Sequence, residues 1–256
     1  MKKFAAIILS VALLSVTAVA QSRVETNDIL KSIDEGTAVE YRDVTVVGDL
    51  DLTKLKDMTP DKDNKRSRNS SNTFWYHVRS PLKFIDCTFQ DDVIAYYHDD
   101  KKNETHNAVF HADALFTGCE FQGKSAFKYS TFHEGADFSK TSYRKEALFK
   151  YTKFRTEVSF SGSTFANDAN FKYTEFPKNA DFSGVEFEDL ANFKYTEFPR
   201  GVSFKNAVFQ GDANFKYTKF SEPFDFEDTE FEDSADFKYT KLEGKSFTLY
   251  LLKNKK

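Results

Sequence analysis

Phenylalanine recurs between residues 110 and 242 at intervals that alternate strictly between five and six residues. Tyr143 and Leu242 stand at two places in this series without interrupting the alternation. Such a step fits neither the 3.6-residue period of a helix nor the two-residue period of a long strand. A chain that turns a corner after each short apolar unit must coil into a solenoid. The phenylalanines of the series stand at positions 110, 116, 121, 127, 132, 138, 149, 154, 160, 165, 171, 176, 182, 187, 193, 198, 204, 209, 215, 220, 226, 231 and 237.

A second series of small residues lies two positions before each aromatic residue. It includes Ala169, Thr174, Ala180 and Val185, and Phe224 is its one bulky member. Residues two apart on an extended chain point to the same side. Each unit is therefore predicted to be a short strand that places one small and one large side chain in the core.

These short steps lie within a longer period. Phe-Lys-Tyr followed by Thr or Ser begins at positions 127, 149, 171, 193, 215 and 237. We interpret one such period, four steps of alternately five and six, as one coil with four sides, so that equivalent residues stack at the roughly 4.8 Å spacing of neighbouring strands. The pattern predicts an all-β, four-sided parallel β-helix of about eight coils whose core consists of four columns of aromatic rings.

The N-terminal part follows the same rule with two insertions. Phe84 and Phe89 match Phe116 and Phe121 at an offset longer than one coil, which indicates an insertion between them. We place this insertion within residues 96–107. Residues 44–52 have the apolar pattern of an earlier coil, whereas residues 57–72 are charged, rich in Ser and Asn and without pattern, and are predicted to form a mobile loop.

Short segments are predicted to cover both ends of the solenoid, which spans residues 41–245. Residues 21–40 form an N-terminal capping segment with a helix over Asn27–Glu35, ended by Gly36. Residues 246–256 form a C-terminal cap in which Phe247, Leu249 and Leu251 cover the last coil.

Residues 1–20 have the design of a secretory signal peptide. Lys2 and Lys3 precede an apolar run over residues 4–16, and Ala18-Val19-Ala20 supplies small residues for cleavage after Ala20. The run is too short to span a bilayer, and no other segment could do so. We expect export to the periplasm or the exterior, with the formal net charge falling from −4 to −6 through loss of the two lysines.

The Ala-Asn-Phe-Lys-Tyr units at residues 169–173, 191–195 and 213–217 resemble the pentapeptide repeat family. The family unit is Ala, Asp or Asn, Leu or Phe, and two variable residues, and the resemblance covers about residues 41–245. It implies a right-handed, four-sided β-helix. This chain departs by using mostly Phe at the centre and by adding one residue to every second unit, which leads us to expect a larger cross-section.

Some cytoplasmic members of the family resemble duplex DNA and inhibit or protect DNA gyrase. The export signal and a row of lysines make this the least expected function here, and we predict no nucleic-acid partner.

Two outward rows recur once per coil and form a candidate binding surface. Repeat duplication with aromatic stacking along a sheet would explain them, and so would a flat aromatic and cationic surface for a glycan or an acidic partner. The rows are Lys128, Lys150, Lys172, Lys194, Lys216 and Lys238, and Tyr129, Tyr151, Tyr173, Tyr195, Tyr217 and Tyr239.

Two clusters contain residue types that bind metal ions, but neither has the spacing of a known motif. Residues 222–236 hold eight acids and no base, which fits a solvated acidic face better than a Ca²⁺ loop. His98, Asp99, Asp100 and His106 share one inserted loop, and an ordinary polar loop is favoured over a zinc site. We therefore predict no metal ion and no cofactor.

Cys87 and Cys119 occupy the same inward small position on adjacent coils. Buried free cysteines often replace Ala in such cores, whereas the oxidising compartment implied by export would favour a disulfide. The sequence leaves both alternatives open.

No nucleophile elbow, phosphate-binding loop or other catalytic signature is present in the sequence. We therefore predict an exported, non-catalytic β-solenoid that serves as a structural or binding module in the bacterial cell envelope, with an envelope protein or glycan as partner. The alternative is a carbohydrate-active β-helix enzyme whose site would lie in the two inserted loops. A homodimer through one solenoid end is compatible with the same pattern.

Overall fold

The computed structural model describes residues 21–61, 72–248 and 250. The chain winds through eight coils, and each coil contributes to each of four faces, where strands pair in parallel with those of neighbouring coils. The predicted all-β, four-sided β-helix is thereby confirmed. The predicted signal peptide, residues 62–71, Leu249 and Leu251 lie outside the described residues.

The strands can be grouped by face. The first face comprises Val39–Arg42, Leu82–Ile85, Ala114–Thr117, Ala136–Asp137, Val158–Ser159, Ala180–Asp181, Val202–Ser203 and Phe224–Asp225. The second comprises Ser22–Glu25, Val44–Val47, Thr88–Phe89, Glu120–Phe121, Ser142–Tyr143, Thr164–Phe165, Glu186–Phe187, Val208–Phe209 and Glu230–Phe231. The third comprises Leu50–Asp51, Val93–Ile94, Ser125–Ala126, Ala147–Leu148, Ala169–Asn170, Ala191–Asn192, Ala213–Asn214 and Ala235–Asp236. The fourth comprises Met58–Pro60, Asn72–Val78, Tyr96–Asp99, Glu104–Phe110, Thr131–Phe132, Lys153–Phe154, Glu197–Phe198, Lys219–Phe220, Lys241–Leu242 and Lys245–Ser246, with Glu175 bridging two of its strands.

The register between coils follows the predicted period. Ala147 lies opposite Ala169, its equivalent one full period later in the chain. In the N-terminal part Phe84 lies opposite Phe116, so the longer offset seen in the sequence also separates equivalent residues. The additional residues form an antiparallel hairpin in which Tyr96–Asp99 pairs with residues 104–107, where the sequence places the insertion.

The region predicted as a mobile loop over residues 57–72 contains a strand. Met58–Pro60 pairs antiparallel with residues 74–76 and so satisfies backbone groups at the edge of the fourth face. Its three residues are all exposed, so the strand carries no alternation of apolar residues that sequence analysis could detect.

Aromatic rings fill the core in four columns that run along the solenoid. The Phe193 ring stacks on those of Phe171 and Phe215 at centroid distances of 5.0 and 5.1 Å. Across the coil it meets Phe182 edge-to-face, at 5.3 Å and 89°. Such pairs add about 0.5–1.5 kcal/mol each beyond the burial of their area, so every coil is held mainly by its two neighbours.

The small inward residues alternate between two kinds because the corners alternate between two lengths. After a five-residue step the small residue is usually Thr or Ser, and its hydroxyl bonds a Phe carbonyl of the preceding coil. The Thr174 hydroxyl, for example, donates to the Phe149 carbonyl at 2.7 Å. That carbonyl also accepts from the Thr152 amide at 3.0 Å. The small position after a six-residue step carries Ala or Val in most coils, and these side chains have no polar atom to donate.

Both ends carry apolar covers. The helix runs over Thr26–Asp34, one residue earlier than predicted, and buries Ile29 and Ile33. Gly36 follows it with a φ of 73°, a conformation that glycine adopts without strain. At the other end Phe247 is buried, with its ring 4.8 Å from that of Phe237. Among the described residues, no helix is long and apolar enough to cross a membrane.

The fold predicts that Tyr143→Phe stabilises the protein. The Tyr143 ring is fully buried and stacks on Phe165 at 4.5 Å, but its hydroxyl has no hydrogen-bond partner among the described residues. Removing this buried hydroxyl should raise the free energy of unfolding by about 1–3 kcal/mol, as measured by urea denaturation. Phe165→Tyr, the reverse change on the next coil of the same column, is the matched control and should destabilise. An unchanged or lowered stability of Tyr143→Phe would contradict this account of the core.

Candidate functional site

The two predicted rows occupy the turns that join the third face to the fourth. We call them the lysine ladder (Lys128, Lys150, Lys172, Lys194, Lys216, Lys238) and the tyrosine ladder (Tyr129, Tyr151, Tyr173, Tyr195, Tyr217, Tyr239). In each coil Lys and Tyr are the two central residues of a turn that the following residue closes. The Thr174 amide, for example, donates to the Phe171 carbonyl at 3.1 Å.

Every tyrosine of the ladder has a left-handed backbone conformation. Their φ angles lie between 59° and 64°. This conformation costs an ordinary L-residue about 1–2 kcal/mol, and Gly, Asn and Asp tolerate it best. With the exception of Lys140, the equivalent turns between the first and second faces follow that preference, since they carry Asp43, Asp86, Gly118, Gly162, Gly184, Asn206 and Asp228 at positive φ. The backbone therefore gives no reason for tyrosine at the ladder positions.

The tyrosine rings stack on one another along the solenoid. Consecutive rings from Tyr151 to Tyr239 are 4.8 Å apart, with interplanar angles from 3° to 22°. Tyr96 of the hairpin extends the column, with its ring tilted 5.7 Å from that of Tyr129. The ring faces are thus covered by neighbouring rings, in contrast to the flat faces expected from the sequence. The column exposes ring edges and hydroxyl groups instead.

The lysine ladder lies close to the same rings. The Nζ atoms of Lys150, Lys172 and Lys194 are 5.2, 5.1 and 4.9 Å from the centroids of the tyrosines that follow them, within cation–π range. Partial burial, followed by repulsion from Lys172 and Lys128, lowers the pKa of Lys150.

Most of the positive charge on this ladder is uncompensated. Among the described residues, Lys216 is the one ladder lysine in an ion pair, 2.7 Å from Asp236. In the preceding coils neutral asparagines stand at the equivalent position, and their side-chain oxygens accept from lysine backbone amides at 3.1–3.2 Å. These asparagines are Asn170, Asn192 and Asn214. The amide oxygen supports the turn as a carboxylate would, without neutralising a lysine.

A shallow groove runs beside the tyrosine ladder. Three adjoining depressions of about 480, 510 and 570 Å³ all include Tyr173 in their lining. Outward residues of the fourth face form the opposite wall, where Lys153 pairs with Glu175 at 3.2 Å and Lys219 pairs with Glu197. The lining of the three depressions includes four cations, Lys153, Arg155, Lys219 and Lys241, and two carboxylates, Glu175 and Glu197, so the groove itself is net positive. The lysine ladder adds further positive charge next to the tyrosines without lining the groove.

Three histidines lie at the N-terminal end of the groove, an arrangement that the sequence analysis missed. His77 Nδ1 is 2.9 Å from His111 Nε2, and the His111 ring stacks on His133 at 5.2 Å. Burial lowers the pKa of both His77 and His111 and so favours their neutral rings. The sequence could have indicated that His111 and His133 lie next to each other, because they are one coil apart. It gave no such indication for His77, because the insertion lengthens the offset between His77 and His111.

The four polar residues of the inserted loop do not surround a common point. His98 bonds Thr105 at 2.9 Å and lies 3.3 Å from Asp100. His106 instead bonds the Tyr76 hydroxyl at 3.0 Å. The described residues contain no group of three or more His, Cys, Asp or Glu side chains arranged to hold a metal ion.

The acids of residues 222–236 are distributed around the last coil. Asp236 pairs with Lys216, and Glu227 pairs with Lys205. Because successive residues of a strand point to opposite sides and each corner changes face, the eight acids are spread over different faces rather than gathered into one loop.

Cys87 and Cys119 are both buried and both free. They sit on adjacent coils, next to the paired residues Thr88 and Glu120. The Cys119 thiol contacts the Phe84 carbonyl at 3.4 Å. The hydrogen bond with Cys87, followed by burial, raises the pKa of Cys119. The disulfide between Cys87 and Cys119 that export would favour stays a prediction.

Comparison with known proteins identifies the repeats. The family model described as pentapeptide repeats (9 copies) matches residues 106–151, 149–197 and 193–241. No curated protein and no solved structure matches the chain. The matched segments include all six turns of the lysine and tyrosine ladders.

The ladder geometry predicts that tyrosine is dispensable for stability. In Tyr195→Asn, the loss of two ring contacts, about 0.5–1.5 kcal/mol each, is offset by relief of the left-handed backbone. We expect the free energy of unfolding to change by no more than about 2 kcal/mol. The matched change at the opposite corner, Asn206→Tyr, gains no ring neighbour, because Gly184 and Asp228 lie on either side, and should cost about 1–2 kcal/mol. A loss of several kcal/mol in Tyr195→Asn, measured by urea denaturation, would show that the ladder is needed for the fold.

Proposed function

The chain belongs to the pentapeptide repeat family, and from that premise we propose that it is an exported, non-catalytic β-solenoid of the bacterial cell envelope that binds an extended anionic glycan along the tyrosine ladder. Proteins of this family are generally structural or binding modules. The fold supplies a long surface of constant chemistry, and a repeating surface suits a repeating ligand.

One observation carries this proposal, namely that six consecutive coils place tyrosine in a conformation that the backbone does not favour. Inward residues must stay uniform because they pack against one another, but outward turn residues need not. The equivalent outward turns vary in residue type. Tyrosine is thus kept at all six turns although the backbone conformation there disfavours it. This supports the view that tyrosine was selected for binding.

The chemistry of the surface favours an anionic polymer. The tyrosine ladder lines the groove together with Lys219 and Lys241 of the fourth face. Each ladder tyrosine also follows a ladder lysine, and within the described part of the chain most of these lysines have no carboxylate partner. A peptide advances about 3.3 Å per residue and so falls out of step with rows that repeat once per coil. A pyranose ring spans a length close to the coil spacing, so a glycan can repeat its contacts from one coil to the next.

A second candidate function, a carbohydrate-active enzyme, is favoured by one feature of the hairpin. Asp51, Asp99 and Glu104 line one depression together with His106. Incubation of the purified protein with polysaccharides separates the two functions, because new reducing ends or unsaturated products would show catalysis and would contradict the non-catalytic proposal.

Export predicts a defined mature N-terminus. Protein recovered from the periplasm or the medium should have the intact mass of a chain that begins at Gln21, because cleavage follows Ala20. Replacing Lys2 and Lys3 by Glu removes the basic end of the signal and is expected to block this processing. A full-length product in the cytoplasm of the parent strain would contradict the proposed compartment.

If a glycan binds along the tyrosine ladder, replacing the tyrosines should weaken glycan binding. A variant with Tyr173, Tyr195 and Tyr217 changed to Asn should show at least about tenfold weaker retention on an immobilised polyuronate, which corresponds to about 1.4 kcal/mol of binding free energy. Retention of the parent should fall as salt rises from about 0.1 to 1 M, because the screening length falls from about 10 to 3 Å.

The matched control carries Gly162→Asn and Gly184→Asn, which place the same residue type in the same turn conformation at the opposite corner. It should bind like the parent. Equal retention of the triple tyrosine variant and the parent would contradict the proposed surface, and retention of an acidic protein in place of the polyuronate would contradict a glycan partner.

A further inference from the structure

The inserted hairpin forms a separate depression at the N-terminal end of the tyrosine ladder. Together with the short helical turn Leu52–Lys54 it encloses about 430 Å³. Lys128 Nζ donates to the Tyr96 hydroxyl at 3.0 Å and so links the hairpin to the ladder. We call this depression the hairpin pocket, and its lining includes Asp51, Lys54, Tyr97, Asp99, Lys102 and Glu104.

The polar groups of the hairpin pocket are held in place by their neighbours. The Asp51 carboxylate accepts from the Thr53 amide at 3.0 Å and from its hydroxyl at 2.6 Å. The Asp99 carboxylate accepts from two backbone amides of the hairpin turn, at 2.9 and 3.2 Å. His106 stacks on Phe74 at 5.1 Å and bonds the Tyr76 hydroxyl. A site built in this way requires little ordering when a ligand binds.

The charges of the pocket argue against an ionic ligand. Lys54 lies 3.2 Å from Asp51, and Lys102 lies 3.8 Å from Asp99. Glu104, the third carboxylate of the lining, lies 3.7 Å from His106 Nε2. With two carboxylates matched to lysines and the third beside a histidine, neither a free anion nor a free cation gains much by entering. The described residues also lack a group of three or more acidic, His or Cys side chains arranged around a metal position.

The remaining chemistry is that of a neutral polyhydroxyl ring. Carboxylates accept from hydroxyl groups and lysines donate to them, so neighbouring sugar hydroxyls can be paired in both directions. Tyr97 is half exposed, with a relative accessibility of 50%, and Ile94 lies in the same lining. The apolar face of a pyranose can pack on these two side chains, as in most small-molecule sites where apolar area carries affinity and a few polar groups fix orientation.

We propose that the hairpin pocket binds the neutral terminal sugar residue of the anionic glycan. This inference rests on the proposed function, since the tyrosine ladder would hold the residues that follow the terminal sugar. The pocket lies at the N-terminal end of the ladder, so it would fix the direction in which the glycan runs along the solenoid.

The test uses the whole mature protein and single sugars, which are too short to engage the ladder. Glucose, galactose, mannose and N-acetylglucosamine are examined by saturation-transfer difference NMR at about 1–10 mM, the range expected for a weak single-residue ligand. At least one should give a signal that Tyr97→Ala and Asp99→Asn each reduce at least tenfold. Asp99→Asn retains an oxygen for the backbone amides of the turn, so the hairpin should stay folded.

The outcomes separate this proposal from the ladder. Tyr195→Asn, a change in the ladder, should leave the sugar signal unchanged. Absence of a signal from every sugar, or a signal indifferent to both pocket variants, would overturn the pocket while leaving polyuronate retention to test the ladder. Displacement of the bound sugar by Ca²⁺, Zn²⁺ or inorganic phosphate alone would also overturn it, because the pocket would then be an ion site.

Discussion

The whole molecule depends on the stacking of aromatic rings from one coil onto the next. A single coil has too little interior to bury its own phenylalanines, so the apolar area is removed from water only when a neighbour covers each ring. Phe149, Phe171 and Phe193 illustrate this, at 5.1 and 5.0 Å between successive centroids. Ring stacking of this kind requires the corners of successive coils to coincide, and in the regular coils the equal lengths then fix which outward residues share a row. The ladders are therefore a geometric consequence of the core.

Much of the fold could be predicted because the stacking of aromatic rings requires a regular spacing of aromatic residues, which is visible in the sequence. The alternation of five and six residues identified the corners, and the longer offset between Phe84 and Phe116 located the hairpin. The hydroxyl bonds of residues such as Thr174 were not predicted, since a small inward residue satisfies the packing pattern whether or not it bonds a carbonyl. The strand Met58–Pro60 was missed because pairing at an edge needs backbone groups rather than a side-chain pattern.

The candidate site was predictable only in part, because residue spacing reveals which side chains share a row but not how they are oriented. Periodicity identified the ladder residues, but their orientation follows from a turn conformation that the sequence does not reveal. Tyrosine at a φ near 60° contradicts residue preference, so local reasoning alone would not place it there. The covering of the ring faces is likewise a property of the assembled stack. The hairpin pocket brings Asp51 near residues much later in the chain, such as Asp99, and this contact depends on the register of two irregular coils.

The constant in-register period of the regular coils also has an evolutionary consequence. Because each regular coil contacts only the coils on either side of it, duplication or deletion of one unit between residues 127 and 237 would preserve the cross-section, both end covers and the hairpin. Such an event would lengthen or shorten the tyrosine ladder by one rung without altering any existing rung. Recombination between nearly identical repeats could therefore change the number of contacts with a long ligand in discrete increments, with no need to remodel an interface.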